Sequence, residues 1–244
     1  MNPPLLELDD ITFRYPGRQD AVFQGLSFVL GEERIGLVGP NGSGKTTLLH
    51  LMVGLLRPES GSIRFQGTLV QTERDFRPLR RRIGFLFQNV DDQLFSPTVL
   101  EDVTFGPLNL GLSHARAVSV AEEVLEQVGL AGYGPRVTHR LSGGEKRLVA
   151  LATVLAMKPK ALLLDEPTND LDPHSRRRLI SILAGLDLAG IIISHDWDFL
   201  DRLATRFCAF DHGRLIPCDS PILHEHKHIH PLGDHDHSHS SDEL

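Results

Sequence analysis

Only two cysteines, Cys208 and Cys218, occur in 244 residues. Two cannot make a disulfide framework, so a reducing compartment is expected. No run of about 18 apolar residues occurs, and the chain itself is not expected to span a bilayer. Met1 to Asp10 has neither a basic lead nor an apolar stretch, so no secretory signal is predicted there. Without such a signal, the likeness of Ser241-Asp242-Glu243-Leu244 to an endoplasmic-reticulum retention signal is set aside. Positive charge is in short supply as well. The 25 Lys+Arg against 32 Asp+Glu leave a net −7, which argues against a chain built mainly to hold nucleic acid or an anionic membrane surface. Histidine is what the sequence has in excess: 13 in all, seven of them between His224 and His239. The length fits one domain with an appendage and is ample for a hydrophobic core.

Apolar residues near alternate positions predict strands over Leu6 to Tyr15 and Leu26 to Leu30, closed by Pro16-Gly17 and Gly31. Ile35 to Val38 reads as a short buried strand entering a glycine-rich turn. Helical spacing of Leu48, Leu49, Leu51, Met52 and Leu55 predicts a helix over Lys45 to Leu56, stopped at Arg57-Pro58. Strands are expected at Gly61 to Gly67 and Ile83 to Phe87. Helical periodicity dominates from about Thr98 to Met157, including an amphipathic helix over Ser113 to Val128. Alternation then resumes: strand Ala161 to Leu164, helix Pro173 to Leu186, strand Ile191 to Ile193, helix Asp196 to Leu203. Last comes a hairpin candidate around Asp211-His212-Gly213. Such alternation implies an α/β domain with a mostly parallel sheet. The helical insert is expected to form a subdomain over about 97–158 of a domain spanning 1–222. Residues 223–244 are rich in His, Asp, Glu and Ser, and no folded structure is predicted there.

Gly39-Pro40-Asn41-Gly42-Ser43-Gly44-Lys45-Thr46, followed by Thr47, matches the phosphate-loop pattern. Glycines let several backbone N–H groups converge on phosphate oxygens without side-chain clash. The helix starting near Gly44 points its positive end the same way. Lys45 is expected to reach the β- and γ-phosphates, and the Thr46 hydroxyl to ligate Mg²⁺. The run Leu162-Leu163-Leu164 ends in Asp165 and Glu166, at the strand edge where open α/β sheets bind ligands. Asp165 is expected in the Mg²⁺ shell and Glu166 beside the attacking water. Ser142 and Glu145 have the spacing of a capping box. The helix they open offers a second anion-binding terminus, which points to nucleotide held between two copies of the domain.

From about Leu6 to Ile222 the chain resembles the nucleotide-binding subunit of an ATP-binding-cassette transporter. The resemblance implies a parallel core, an antiparallel β part and an inserted α-helical subdomain. It implies that Tyr15 stacks on adenine and that Gln88 joins the Mg²⁺ site and leads to a membrane partner. It makes Ser142-Gly143-Gly144 the signature that completes the opposite subunit's ATP site, and places Asp172 at the dimer interface. His195 corresponds to the switch histidine on the γ-phosphate. Two features depart from the common pattern. Glu145 stands where the broad family most often has glutamine, and Asn169-Asp170-Leu171-Asp172 replaces Ser-Ala-Leu-Asp. The segment Phe87 to Phe95, followed by Thr98 to Pro107, resembles energy-coupling-factor and cobalt/nickel importer ATPases, although Val90 stands where that subgroup commonly has proline. Leu94, Phe95, Val99 and Phe105 could seat a short helix of a membrane subunit, with Val99 and Phe105 better assigned to packing inside the helical subdomain.

His224, His226, His228 and His230, then His235, His237 and His239, alternate mainly with polar residues. Imidazole suits Ni²⁺, Co²⁺, Zn²⁺ and Cu²⁺, and so loose a spacing selects none of them. Together with the resemblance, the expectation is an ATPase at the cytoplasmic membrane face that powers nickel or cobalt import. ATP and Mg²⁺ would be its cofactors, with Ni²⁺ or Co²⁺ at the tail. It would work as a homodimer, or as a heterodimer with a paralogue, on integral membrane subunits. The rivals are a vitamin-importing energy-coupling ATPase and a soluble cassette ATPase outside transport.

Overall fold

The computed structural model describes residues 3–211 and 214–218. The seven tail histidines, the expected domain end at residue 222 and the turn residues His212 and Gly213 lie outside them. Along the chain come β1 (Leu6–Phe13), β2 (Phe23–Leu30), β3 (Arg34–Val38), α1 (Lys45–Met52), β4 (Ser60–Phe65), β5 (Thr68–Leu69), α2 (Glu73–Arg80) and β6 (Ile83–Leu86). The helical insert follows as α3 (Val99–Asn109), α4 (His114–Gln127) and α5 (Gly143–Leu155). Alternation then resumes with β7 (Ala161–Asp165), α6 (Pro173–Ala184), β8 (Ala189–Ile193), α7 (Trp197–Leu203), β9 (Arg206–Asp211) and β10 (Arg214–Cys218).

Two sheets result. One is antiparallel, ordered β2-β1-β4-β5; the other runs β10-β9-β3-β8-β7-β6 and is parallel except for the β9–β10 hairpin. Helix α1 lies between them, and Leu48, Leu49, Leu51 and Met52 fill a core shared with both sheets. The parallel strands are covered on both faces. In β7, Ala161 and Leu163 join that core, while Leu162 and Leu164 face a second core built with α3 to α7. This is why β7 reads as an unbroken apolar run rather than as alternation. The register sets Leu37 and Asp165 on either side of Ile193, with Leu86 beside Leu164. The carboxyl ends of β3, β8, β7 and β6 therefore line up along one edge, and the loops leaving them converge.

The structure adds α2, an element absent from the sequence reading. Its Thr72 and Asp75 form a reciprocal capping box, and only Phe76 and Leu79 are buried. Helix α1 also ends at Met52, four residues before the expected stop. Gly54, at φ 70°, closes against the ring of Phe76, where any Cβ would collide. Phe105 corrects another expectation. It is half exposed and meets the exposed Phe95 edge to face at 4.8 Å between centroids, whereas Val99 is buried as expected. Two residues along a helix turn the side chain about 200°. With Val103 facing the core, Phe105 must look outward.

Candidate nucleotide site

Helix α1 begins at Gly44, in the left-handed region at φ 102°, and no side chain caps it. Its first N–H groups are thus free to meet an anion, whereas in α3 and α5 the N-cap side chain takes the third N–H. Glycine is required here on two counts. The positive φ strains any L side chain, and a Cβ would stand 2.8 Å from Val22 and Phe23. Lys45 follows, buried, with Nζ donating to the carbonyls of Gly39 and Pro40 at 2.8 and 3.0 Å. Burial lowers its pKa, an effect opposed by the nearby carboxylates of Glu166 and Asp165.

A cleft of about 540 Å³ opens above this turn, within the usual range for small-ligand sites. It is lined by Tyr15, Asn41, Gly42, Gly44, Lys45, Thr46, Thr47, Gln88, Asp165, Glu166 and His195, drawn from five separate segments of chain. Val22, Asn169 and Ile193 line it too, and nothing in their residue types singled them out. The Tyr15 hydroxyl lies 2.9 Å from Thr47 Oγ1, and its ring stands edge-on to Phe13.

Two buried carboxylates occupy the floor. Asp165 Oδ1 and Ser43 Oγ are buried without a hydrogen-bond partner. Burial raises the Asp165 pKa, opposed first by a hydrogen bond with Thr46. A buried carboxylate with an unsatisfied oxygen beside a threonine hydroxyl, and with the Gln88 amide lining the same cleft, is a hard-oxygen donor set that fits Mg²⁺. Glu166 sits at φ 45°, a left-handed conformation unusual for a non-glycine residue. Its N–H donates to Ile193 O at 2.9 Å. His195 N–H donates to Glu166 Oε2 at 3.3 Å, and His195 Nε2 lies 3.2 Å from Glu166 Oε1 and 3.1 Å from Asn41 Oδ1. His195 Nε2 thus faces two oxygen atoms at hydrogen-bonding distance, one from the phosphate loop and one from the carboxylate after β7. The Asn41 contact ties the phosphate loop to the end of β8 across 154 positions and was not legible from residue types.

Other expected residues lie elsewhere. Ser142, Gly143, Gly144 and Asp172 do not line this cleft. Ser142 caps α5, and Asp172 caps α6 by accepting from His174 N and Ser175 N at 2.8 and 3.0 Å. Those bonds, led by one from the Ser175 hydroxyl, hold the Asp172 pKa below its ordinary value. The two caps adjoin, since a Cβ on Gly144 would meet Ser175 and Asp172. Sequence reasoning also missed Arg147. It is buried on α5, and its guanidinium donates to Phe87 O and Gln88 O, each at 2.8 Å. Its place one residue before the core position Leu148 was the available sign. A second concavity of about 270 Å³ has Leu55, Phe85, Phe87, Phe95, Phe105 and Met157 in its wall.

The ABC transporter family model matches residues 23–169. The chain belongs to that family. A relative in Nitratidesulfovibrio vulgaris, described as an ABC transporter ATP-binding protein, is 58% identical over 98% of this chain and 87% of its own. The energy-coupling factor transporter ATP-binding protein EcfA of Methanothermobacter thermautotrophicus is 42% identical over 89% of this chain and 71% of its own. The cobalt import ATP-binding protein CbiO of Rhodobacter capsulatus is 43% identical, with 87% and 78% covered. Among solved structures, CbiO1 of Clostridium perfringens, part of an ABC transporter complex, matches at a TM-score of 0.77 with 32% identity over 88% of this chain and 87% of that one. A dimeric ATP-binding cassette in a post-hydrolysis state, bound to ADP and Pi, also matches at 0.77, with 25% identity over 86% and 96%. The protein is an ABC ATPase of the transporter class. Among the described residues no helix is long and apolar enough to cross a membrane.

Proposed function

We propose that this ATPase powers import of nickel or cobalt ions through separate membrane subunits, attached at the cytoplasmic face of the membrane. Two copies would close head-to-tail over two ATP molecules. The observation that carries the catalytic reading is the Glu166–His195 pair, joined to the phosphate loop through Asn41. Lys45 and the free N–H groups at the start of α1 bind the β- and γ-phosphates. Tyr15 supports the adenine. Thr46, Asp165 and Gln88 would hold Mg²⁺, which would supply positive charge against the phosphate oxygens. Glu166 orients the attacking water and accepts its proton, while His195 donates a hydrogen bond from Nε2 to the γ-phosphate. Ser142 and Gly144 of the second copy close the site from the other side. This explains why neither lines the cleft of its own chain.

The cobalt-import relative, 43% identical, supports cobalt as the cargo. The apolar concavity that Phe87 lines, one residue before Gln88, supports docking of a short helix from a membrane subunit, with Phe95 and Phe105 as exposed anchors. A second reading, an energy-coupling-factor ATPase with organic cargo, draws on EcfA at 42%. The test is co-purification of the full chain from native membranes, with mass spectrometry of partners, elemental analysis and uptake assays. Retained membrane subunits and ATP-dependent nickel or cobalt uptake are expected, with uptake weakened when residues 224–244 are removed. Membrane partners without flux of either metal would favour the organic-cargo reading. The absence of any membrane partner would remove both.

A further inference from the structure

Glu145 puts a carboxylate at the third residue of α5, in the same first turn as Gly143 and Gly144. On the head-to-tail reading this terminus meets the phosphates held by the other copy. An uncompensated negative charge there would oppose ATP, because like charges close to a helix N-terminus cancel its attraction for anions.

The carboxylate is fully engaged. Oε2 accepts from Ser142 N–H at 2.8 Å, the return half of the capping box. Oε1 accepts from the Tyr133 hydroxyl at 2.8 Å and faces Arg136 Nη1 at 3.5 Å. The Arg136 guanidinium in turn lies 3.5 Å over the Tyr133 ring. The three residues therefore form a closed set, in which the arginine is oriented by the aromatic face and the phenol by the carboxylate. These hydrogen bonds also keep Glu145 charged, led by the one from Ser142 N–H. A capping box does not need such support, since glutamine serves at this position as well as glutamate. Tyr133 and Arg136 are therefore in excess of what the helix cap requires, and the excess matches the charge that glutamate brings.

We propose that Tyr133 and Arg136 are positioning residues for ATP-driven closure. They hold the Glu145 carboxylate back against Ser142 and neutralise it, so that the Gly143 and Gly144 N–H groups present net attraction to the triphosphate across the dimer. This rests on the head-to-tail reading above.

The test measures the ATP concentration that half-saturates dimer formation, by sedimentation, in full-length chain carrying Glu166→Gln to block turnover. Arg136→Ala is expected to raise that concentration about threefold, and Tyr133→Phe to raise it in the same direction. With Glu145→Gln added, Arg136→Ala should no longer matter, because the charge it compensates is gone. A structural role would not discriminate between the two backgrounds. An equal shift in both, or a shift in neither, overturns the proposal. Thermal melts confirm folding of each variant, and Arg136→Gln serves if the alanine variant does not fold. If Glu166→Gln alone forms no ATP-dependent dimer, the head-to-tail reading itself fails and the clamp loses its role with it. That control separates the two failures.

Discussion

Glu166 combines burial, a strained backbone and a histidine partner. A left-handed non-glycine residue costs about 1 kcal/mol or more and persists only where neighbours enforce it. Here the Glu166 N–H is tied to Ile193 O and its carboxylate to two His195 nitrogens, main-chain N and Nε2. Glu166→Gln preserves size and most of these contacts but removes the proton acceptor. We expect turnover to fall by about 10²–10⁴ while ATP binding survives, as read by phosphate release and calorimetry. Turnover at the parent rate would sink the role assigned to Glu166. Lys45, Thr46, Asp165 and Glu166 were legible in the sequence because phosphate chemistry restricts both type and spacing. The Asn41–His195 contact and the Arg147 bonds to Phe87 O and Gln88 O join distant segments, and no local pattern announces them.

At the scale of elements, strands of the doubly covered sheet were legible because burial on both faces leaves only apolar runs. The short α2 was not. Its apolar content is two residues, it holds Pro78, and its one clear sign was the Thr72–Asp75 capping spacing. Phe105 faces outward because its angle around α3 opposes that of the buried Val103. Helix α5 is the element that joins regions. Glu145 reaches Tyr133, Lys146 pairs with Asp91 at 2.6 Å, and Arg147 holds the main chain at Gln88. Three consecutive side chains thus fasten the start of α5 to the loops on either side. Arg147→Met keeps the apolar stem but releases both carbonyls. It should cost about 1–3 kcal/mol in urea unfolding and lower turnover by loosening Gln88. Parent-like values in both measurements would show that the Gln88 segment needs no such anchor.

For the whole molecule, the −7 net charge divides unevenly. Residues 224–244 hold seven histidines, five acids and one lysine, a net −4, so the remaining 223 residues are nearly balanced. The histidine excess likewise belongs mostly to the end of the chain, with seven of the 13 from His224 onward. The exposed Phe95–Phe105 pair is the reverse case, apolar surface carried by the folded body. Replacing both with serine should leave the melting temperature nearly unchanged, since neither is buried. It should abolish co-purification with membrane subunits. Retained co-purification would place the docking surface elsewhere.

The cleft at Gly44 and the terminus at Gly144 are parts of one chain that do not meet within it. On the head-to-tail reading each molecule is half of two enzymes, and free in solution its rate law is second order in protein. Specific activity then fades on dilution, whatever the quality of the individual residues. Membrane subunits that hold two copies at a fixed spacing convert that law to first order, because tethering raises the effective concentration of one half around the other. They would act as activators without touching a reacting atom, and a chain that drifts off the membrane would fall silent by geometry alone.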